Sequence, residues 1–287
     1  MNYTVSVVMI TYGHEKYIGE AINGVFMQQT DFPVELIIAN DCSPDQTDEV
    51  IKSFLNKVPD NITVNYACHM KNMGMQANFI WACGKATGKY IALCEGDDYW
   101  TDPLKLQKQV DFLEDNPDFT FSMGRVNMLI EKTGEIRKRK ERVNPQVNEM
   151  YSLKDYISAP FSQTSSFLFR HDGVPFPEWF HHVHAGDQSL VIIKTGIYGK
   201  IKYHNDVFSF YRMNQASVTN TKSAKKIFKQ FDETLNYWDA FLNYMYEEQV
   251  MVRKFQNMLN WRYVALSKSW QRIPLRIFLY FLNLFRI

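Results

Sequence analysis

The sequence has little of what marks a secreted, a zinc-binding or a membrane-spanning protein. Its 287 residues include four cysteines, which form no CxxC pair and no zinc-ribbon spacing: Cys42, Cys68, Cys83 and Cys94. We expect no signal peptide before them, since Val5–Ile10 already reads as a strand, and unpatterned thiols are then typical of a reducing cytosol. No run reaches the roughly 18–20 apolar residues that a membrane span requires.

An excess of charge of one sign is also lacking over the chain as a whole. Lys and Arg number 32 against 31 Asp and Glu, a net charge of +1, which gives no reason to expect a nucleic-acid partner. The balance is uneven along the chain, because residues 249–287 hold seven basic residues and no acidic one. The sequence therefore predicts a near-neutral body with a basic C-terminal end.

Apolar residues make up 46% of the chain, and their order predicts the fold. Over the first 125 residues, segments of helical period separate four short apolar runs, at Val5–Ile10, Val34–Ala39, Ile62–Ala67 and Tyr90–Cys94. Such runs are typical of a mostly parallel sheet covered by helices on both faces. From Ala224 onward the pattern is helical. The sequence predicts an α/β protein with a C-terminal helical extension.

A polar cluster follows each of the four apolar runs. These clusters are Thr11–His14, Asn40–Thr47, Asn72–Gly74 and Glu95–Trp100. In an open parallel sheet, ligands bind in the crevice beyond the carboxyl ends of the strands. We therefore expect the four clusters to line one ligand site.

The last of these clusters is acidic. Glu95, Asp97 and Asp98 lie within four residues and repel one another unless a cation sits among them. Oxygen ligands suit Mg²⁺ or Mn²⁺, and such an ion can bridge a diphosphate and make it a better leaving group. The sequence contains no glycine-rich phosphate loop that would compete with this interpretation. For Asp98 two other roles stay open, a cap on the helix near Pro103 and a pair with Lys105.

With these motifs in this order, the chain resembles the family 2 glycosyltransferases of the GT-A fold, which build polysaccharides from nucleotide sugars. The resemblance covers roughly residues 3–215. Glu95 departs from the family's DxD motif, and Gly186 stands where many members have a second acid. The segments that carry the resemblance are Val7–Tyr12, Asn40–Thr47, Asn72–Gly74, Glu95–Asp97 at the DxD position, Gly186–Leu190 and the pair Tyr211–Arg212.

The resemblance implies an inverting transfer of a sugar from a nucleotide-diphosphate donor, expected to be a UDP-sugar, to an acceptor hydroxyl. Asp187 would be the catalytic base, and Asp97 would bind a divalent cation, Mn²⁺ or Mg²⁺. The expected acceptor is a saccharide or a lipid-linked saccharide in cell-surface polysaccharide or glycolipid synthesis. The implied donor-binding residues are Thr11, Tyr12, Asp41, Asn72, Gly74, Glu95, Asp98 and Arg212.

Four of these residues also have simpler interpretations from the sequence alone. Asp41 can be a turn residue, because Asn-Asp-Cys-Ser-Pro is good turn chemistry, and Tyr12 can be a core aromatic. Asp187 can serve as a helix N-cap, which is compatible with a role as base. Arg212 can belong to an ordinary ion pair, although its fork geometry also suits a phosphate.

Residues just before Asp187 leave further alternatives open. Trp179 and Phe180 either stack on an acceptor sugar or belong to the core. His181, His182 and His184 favour a polar loop over a metal site, because no closed ligand set accompanies them.

We expect residues 1–215 to form the catalytic domain and residues 216–287 the helical extension. Pro274 can open a helix over 275–287 that is apolar except for a narrow cationic stripe, and at about 20 Å it is too short to span a bilayer. It can lie in a membrane interface, which would make the protein cytoplasmic and peripheral on the inner face of the membrane. The alternative is packing against the catalytic domain or another subunit.

Two other functions compete with sugar transfer. A sugar nucleotidyltransferase shares the α/β nucleotide-binding architecture but needs a glycine-rich, basic first loop, which Thr11–His14 does not provide. A non-catalytic glycan-binding relative is the second, and the presence of Asp41, Asp97 and Asp187 together argues against it. Sugar transfer is therefore the function that the sequence favours.

Overall fold

The computed structural model describes most of the chain, with gaps in the second half. Side chains in the last described range are those of residues 229–257. The described residues are 3–138, 150–158, 160, 163–183, 186–196, 198–213 and 224–266. The predicted helix over 275–287 lies outside them.

Strands and helices alternate from the N-terminus to the strand that ends at Leu93, as the apolar pattern predicts, and their order is irregular after it. Two short 3₁₀ helices, Thr164–Ser166 and Glu178–His182, lie in the second half. The strands are β1 Val5–Thr11, β2 Val34–Asn40, β3 Ile62–Cys68, β4 Tyr90–Leu93, β5 Tyr99–Trp100, β6 Phe119–Ile130, β7 Glu135–Lys138, β8 Met150–Ser152, β9 Leu168–Arg170 and β10 Lys200–Met213. The helices are α1 Ile18–Phe26, α2 Thr47–Phe54, α3 Met75–Cys83, α4 Lys105–Asp115, α5 Leu153–Ser158, α6 Gly186–Thr195, α7 Ala224–Phe241 and α8 Glu247–Leu266.

The ten described strands form one sheet, eight of them in the order β3-β2-β1-β4-β9-β6-β10-β5, with β7 paired to β6 and β8 paired to β10. Strands β1 to β4 are parallel to one another, which confirms the prediction for the first half. In the second half β9 runs antiparallel to β4 and β6, while β6 and β10 are parallel. The carboxyl ends of β1 to β4 therefore share one edge of the sheet.

Helices cover both faces of this sheet, as predicted. The side chains of β1 alternate between two apolar clusters, with Val7 and Met9 on one face and Val8 on the other. Helices α1, α2 and α4 contribute to the first cluster, and α3, α5 and α6 to the second. Both clusters are closed to solvent, which is why the strands read as continuous apolar runs.

The described part of the C-terminal extension packs against the rest of the chain. Leu235 and Trp238 on α7, Leu242 just after it and Val250 on α8 share a buried cluster with residues of α5 and α6. The Trp238 Nε1 donates to Ser189 Oγ in α6 at 2.9 Å. None of the described helices is both long and apolar enough to cross a membrane. The boundary at residue 215 stays a prediction.

A lysine lies in the core at the start of α4. Lys105 is fully buried, its Nζ donates to Gln109 Oε1 at 2.7 Å, and it lies 4.2 Å from the centre of the Trp100 ring. Burial lowers the pKa of Lys105 to about 7, against smaller raising effects of Cys94 and Asp102. The ion pair with Asp98 that the sequence allowed for Lys105 is therefore not formed, and Lys105 bonds Gln109.

This lysine makes the free energy of unfolding depend on pH. Because the folded pKa is lower than the unfolded one, the cost of charging Lys105 is full below pH 7 and disappears as pH rises toward the unfolded value. We expect the stability of the wild type, relative to Lys105→Met, to rise by about 2 kcal/mol between pH 7 and 9, at 1.36 kcal/mol per pH unit. Urea unfolding at both pH values measures it, with the exposed Lys229→Met as control. Parallel curves for wild type and Lys105→Met would contradict the assignment.

Candidate active site

The loops that follow β1, β2 and β4 are joined by backbone hydrogen bonds. The Asp41 N–H donates to the Thr11 carbonyl at 2.9 Å, and the Gly96 N–H donates to the Ile10 carbonyl at 3.0 Å. The polar clusters predicted from the sequence therefore meet at one edge of the sheet, as parallel strands require.

Asp41 holds the turn that precedes α3. Its buried carboxylate accepts the N–H of Met73 at 2.7 Å and the N–H of Gly74 at 2.9 Å. Gly74 has φ +88°, a conformation that favours glycine, and its N–H also points at Asn72 Oδ1, 3.0 Å away. Asp41, Asn72 and Gly74 thus form one hydrogen-bonded unit, which we call the cradle.

The turn role that the sequence allowed for Asp41 is filled by its neighbour Asn40. The Asn40 Oδ1 accepts the N–H of Ser43 at 3.0 Å and its hydroxyl at 2.7 Å, so Asn40 closes the turn after β2. Asp41 is free of that task, and its carboxylate reaches a different loop.

Tyr12 is open to solvent, with 48% of its surface exposed, so it is not a core aromatic. The backbone that follows Tyr12 is fixed, because the Gly13 N–H donates to Ser43 Oγ at 3.0 Å and the His14 N–H donates to Thr47 Oγ1 at 2.9 Å. Thr11 itself is buried beneath this loop. Tyr12 is therefore presented on a rigid loop, as a stacking residue would need to be.

The loop after β4, Glu95–Asp98, which we call the acid loop, packs directly onto the first loop, Thr11–His14, which follows β1. A Cβ on Gly96 would lie 2.6 Å from Thr11 Oγ1, so no larger residue fits there. His14 lies alongside, with Nδ1 3.2 Å from Thr11 Oγ1 and Nε2 3.9 Å from Asp97 Oδ2. The sequence reasoning did not single out His14, although it stands within the polar cluster after β1.

The three acids of this loop have different surroundings. The Glu95 Oε2 is buried and has no hydrogen-bond partner among the described residues. Burial raises the pKa of Glu95 to about 7, and the charges of Asp97 and Asp187 add to it. The Asp97 side chain is 24% exposed and close to His14. Asp97 therefore presents its carboxylate partly to solvent, while Glu95 keeps one enclosed oxygen without a partner.

Asp98 faces the other way. It is buried, and its Oδ1 accepts the backbone N–H of Arg212 at 3.0 Å. Burial raises its pKa well above the usual range, and Asp97 and Glu95 add to the effect. It does not cap α4, where Asp102 Oδ1 accepts the Leu104 N–H at 2.9 Å. The geometry gives Asp98 a structural role in the loop, and its direct contact with a donor stays a prediction.

Asp187 lies in the first turn of α6, which begins at Gly186, so it is within the helix rather than at its N-cap. Its charge is one of the smaller contributions that raise the pKa of Glu95, although 92 positions separate the two residues in the sequence. A Cβ on Gly186 would lie 3.0 Å from Gln76 Oε1, so the start of α6 abuts α3. Gln76 is a second residue that the sequence reasoning missed, and its buried Nε2 has no partner among the described residues.

The residues just before α6 have the core and surface positions that the sequence analysis gave as the alternatives to ligand contacts. Phe180 is buried in the core, and Trp179 stacks on Tyr237 of α7 with ring centres 5.6 Å apart. His181 and His182 are exposed on a 3₁₀ helix, and His184 lies outside the described residues. An acceptor contact by Trp179 stays a prediction.

Arg212, at the end of β10, is in an ion pair. Its Nη2 donates to Glu20 Oε2 on α1, and its Nε donates to the Asp97 carbonyl at 3.0 Å. The ion pair that the sequence analysis gave as the alternative role of Arg212 is thus present. A phosphate contact by Arg212 stays a prediction.

A divalent cation fits this edge only with help from a ligand. The described residues contain no group of three His, Cys, Asp or Glu side chains that could hold a metal. We expected a cation to sit among Glu95, Asp97 and Asp98. The three carboxylates do not converge in this way, because that of Asp98 accepts the backbone N–H of Arg212. Mg²⁺-type sites commonly use one or two carboxylates and complete their shell with substrate phosphates. Asp97 and the unpartnered Glu95 Oε2 suit that arrangement.

Comparison with known proteins identifies the family. The family model described as "Glycosyl transferase family 2" matches residues 6–174, more than half of the chain. The chain belongs to glycosyl transferase family 2. The matched segment contains the cradle, the first loop and the acid loop of this family 2 member, and it ends before Asp187 and Arg212.

Two curated relatives indicate how far the sequence likeness extends. An uncharacterized protein of Mycobacterium bovis is 38% identical over 186 residues, which are 62% of this chain and 52% of that protein. The chain therefore spans about half the length of this relative. The minor teichoic acid biosynthesis protein GgaB of Bacillus subtilis is 36% identical over 98 residues, 34% of this chain and 11% of that protein.

Two solved structures share the fold of this family 2 member. The Staphylococcus aureus TarS fragment 1–349 in complex with UDP-GlcNAc has a TM-score of 0.65 at 20% identity, covering 90% of this chain and 73% of that one. The mannosyltransferase PcManGT from Pyrobaculum calidifontis, in complex with GDP-Man and Mn²⁺, has a TM-score of 0.61 at 15% identity, covering 97% and 79%. The expected mostly parallel α/β sheet of the GT-A type is confirmed.

Proposed function

We propose that the chain transfers a sugar from a UDP-sugar to an acceptor hydroxyl with inversion at the anomeric carbon. The observations that support this proposal are the Asp41 cradle, the partly exposed carboxylate of Asp97, and the contact of Gly186, next to Asp187, with Gln76 at the start of α3. Membership of the family supports the reaction class. The crystallised TarS fragment, which shares the fold, binds UDP-GlcNAc.

The nucleotide end of the donor would lie over the first loop and the cradle. Tyr12 would stack under the base, and Asp41, fixed by the N–H groups of Met73 and Gly74, would accept from the base. Asn72 would line the same pocket from the turn. Thr11, buried beneath them, would support the loop that carries Tyr12.

The diphosphate would lie at the acid loop. Asp97, with Glu95 beside it, would hold a divalent cation, Mn²⁺ or Mg²⁺, which when bound neutralises charge on the leaving diphosphate. Asp98 would support the loop from inside through its hydrogen bond to the Arg212 backbone. The pKa of Glu95, about 7 without a cation, fits a carboxylate whose ionisation a bound cation would favour.

The sugar transfer itself needs a base and a path for one proton. An acceptor hydroxyl is a poor nucleophile at neutral pH, so Asp187 would accept its proton as the oxygen attacks the anomeric carbon. The bond between that carbon and the β-phosphate oxygen breaks at the same time, and UDP departs with the bonding pair. A single displacement of this kind inverts the anomeric carbon.

A thermal-shift screen of nucleoside diphosphates with Mn²⁺ tests the donor class. We expect UDP at about 100 times its Kd to stabilise the chain by about 2.7 kcal/mol, a rise in Tm of roughly 5–10 °C, and EDTA to remove most of that rise. A selective rise with GDP instead would correct the donor. No rise with any nucleoside diphosphate would refute the proposed function.

The acceptor and its location are further parts of the proposal. We propose a saccharide or lipid-linked saccharide of a cell-surface polymer, supported by the likeness to a teichoic acid biosynthesis protein. A lipid-linked acceptor would make attachment of residues 275–287 to a membrane surface useful. Full-length protein should then sediment with anionic liposomes at low salt, and a chain ending at Arg272 should not. Equal binding by both would exclude this role of the segment.

A further inference from the structure

The acid loop is held from behind by one residue of β10. The Arg212 backbone N–H donates to Asp98 Oδ1 at 3.0 Å, and the Arg212 Nε–H donates to the Asp97 carbonyl at 3.0 Å. Arg212 is only 7% exposed, so both bonds are shielded from water. Two successive residues of the loop are thus fixed by the same arginine.

The guanidinium of Arg212 is enclosed by three side chains, which we call the arginine cage: Tyr17, Glu20 and Tyr99. Nη2 donates to Glu20 Oε2, and the guanidinium carbon lies 4.8 Å from the centre of the Tyr17 ring and 5.2 Å from that of Tyr99. Distances of this size are typical of cation–π contacts. The cage therefore neutralises the charge of Arg212 and fixes its orientation.

Each wall of the cage is itself held in place. The Tyr17 hydroxyl donates to Glu131, in the turn after β6, and burial, together with this glutamate, raises the pKa of Tyr17 to about 12. The Tyr99 ring stacks on Phe210 with ring centres 5.3 Å apart and planes 6° from parallel. The cage thus joins α1, β5, β10 and the turn after β6 behind the acid loop.

A guanidinium in this environment is poorly suited to bind a phosphate. Each two-pronged face of the guanidinium includes Nη2, so a two-pronged contact with a diphosphate would break the bond from Nη2 to Glu20. A contact through the face that pairs Nη2 with Nε would also break the bond from Nε to the Asp97 carbonyl.

We propose that Arg212 is a positioning residue that sets the place of Asp97, and that Glu20 on α1 holds Arg212 in that role. This inference rests on the proposed function, because it concerns the cation and diphosphate end of the same site. Groups behind a metal ligand typically change metal affinity by 10–100-fold when removed.

Replacing Glu20 separates positioning from phosphate binding, because the two roles predict opposite signs. If Arg212 bound phosphate, Glu20→Ala would free its charge and tighten UDP binding with or without Mn²⁺. If Arg212 positions Asp97, Glu20→Ala weakens UDP binding in Mn²⁺ by about 10-fold and leaves UDP binding in EDTA within twofold of wild type. Isothermal titration of UDP into each full-length protein, in Mn²⁺ and in EDTA, measures both.

The chain offers a matched control and a second variant. Glu49 is exposed and lies in the first turn of α2, as Glu20 does in α1. Glu49→Ala therefore removes the same charge without changing the arginine cage. Arg212→Lys keeps the charge but cannot bond both Glu20 and the Asp97 carbonyl, so we expect the pattern of Glu20→Ala. If Arg212 bound a phosphate, its replacement by lysine would weaken UDP binding in EDTA as well as in Mn²⁺, because the two-pronged contact would be lost.

Four results would overturn the inference. They are tighter UDP binding by Glu20→Ala, an equal loss in Mn²⁺ and in EDTA, no change in either condition, and near-normal Mn²⁺-dependent binding by Arg212→Lys. Absence of Mn²⁺-dependent UDP binding by the wild type is a different result, because it would overturn the proposed function and this inference with it.

Discussion

Asp97→Asn is expected to abolish sugar transfer and to remove the Mn²⁺-dependent part of UDP binding. Asparagine has nearly the shape of aspartate, and the Asp97 carbonyl that Arg212 holds belongs to the backbone, so the loop should keep its conformation. What is lost is the charge that binds the cation. We expect the rate to fall by at least about 10³-fold, since charge on the leaving diphosphate is then uncompensated.

The same substitution should stabilise the protein in the absence of a cation. Asp97 raises the pKa of Glu95 and that of Asp98, so its charge is a cost in the folded state. Removing it lowers both pKa values toward their usual range and relieves that cost. Loss of activity with a higher Tm in EDTA would identify a functional acid rather than a structural one.

Steady-state kinetics and UDP titration measure these effects. Asp115→Asn is a suitable control, because Asp115 is exposed at the end of α4 and its substitution removes an equal charge. Near-normal turnover by Asp97→Asn at saturating donor would remove Asp97 from the cation site. A lower Tm in EDTA would contradict the electrostatic account of the acid loop.

The sequence predicted which loops meet, because that follows from strand direction alone. Once β1 to β4 are parallel, the residues after them share an edge, and Asp41 comes into contact with the Asn72–Gly74 turn. The apolar runs that identify these strands are continuous because both faces of the sheet are covered. This part of the site needed no knowledge of side-chain direction.

The direction of individual side chains was the part that the sequence could not supply. Asp97 and Asp98 are neighbours, yet one faces the cleft and the other faces the backbone of Arg212. That difference depends on β10, which enters the sheet more than 100 residues later. Glu20, likewise, reads as an ordinary first-turn acid of α1 until β10 brings Arg212 beside it.

The pairing of the strands in the second half of the sheet could not be predicted, for a related reason. Strand β9 has three residues, and it joins β4 to β6 by antiparallel pairs. So short an apolar run has no distinctive period, and its partners are distant in sequence. The parallel rule that served for β1 to β4 therefore does not extend across β9.

Asp187→Asn is expected to lower kcat by about 10²–10⁴-fold while donor affinity stays within twofold of wild type. A general base acts on the acceptor, so its loss removes an interaction made in the transition state and spares nucleotide binding. The first turn of α6 places the carboxylate rigidly, and asparagine keeps its shape without its basicity. The effect should thus appear in kcat and kcat/KM for the acceptor, and not in the Kd for UDP.

The neighbouring Glu95 provides a second readout that a purely structural role would not move. Because the charge of Asp187 raises the pKa of Glu95, its removal should lower that pKa and shift the pH dependence of Mn²⁺-dependent UDP binding toward acid. Asp60→Asn, at an exposed position, controls for the change in net charge. If UDP binding collapses while kcat hardly moves, Asp187 belongs to the donor side of the site. If the pH dependence stays where it is, the two carboxylates do not share a site, and another group must take the proton.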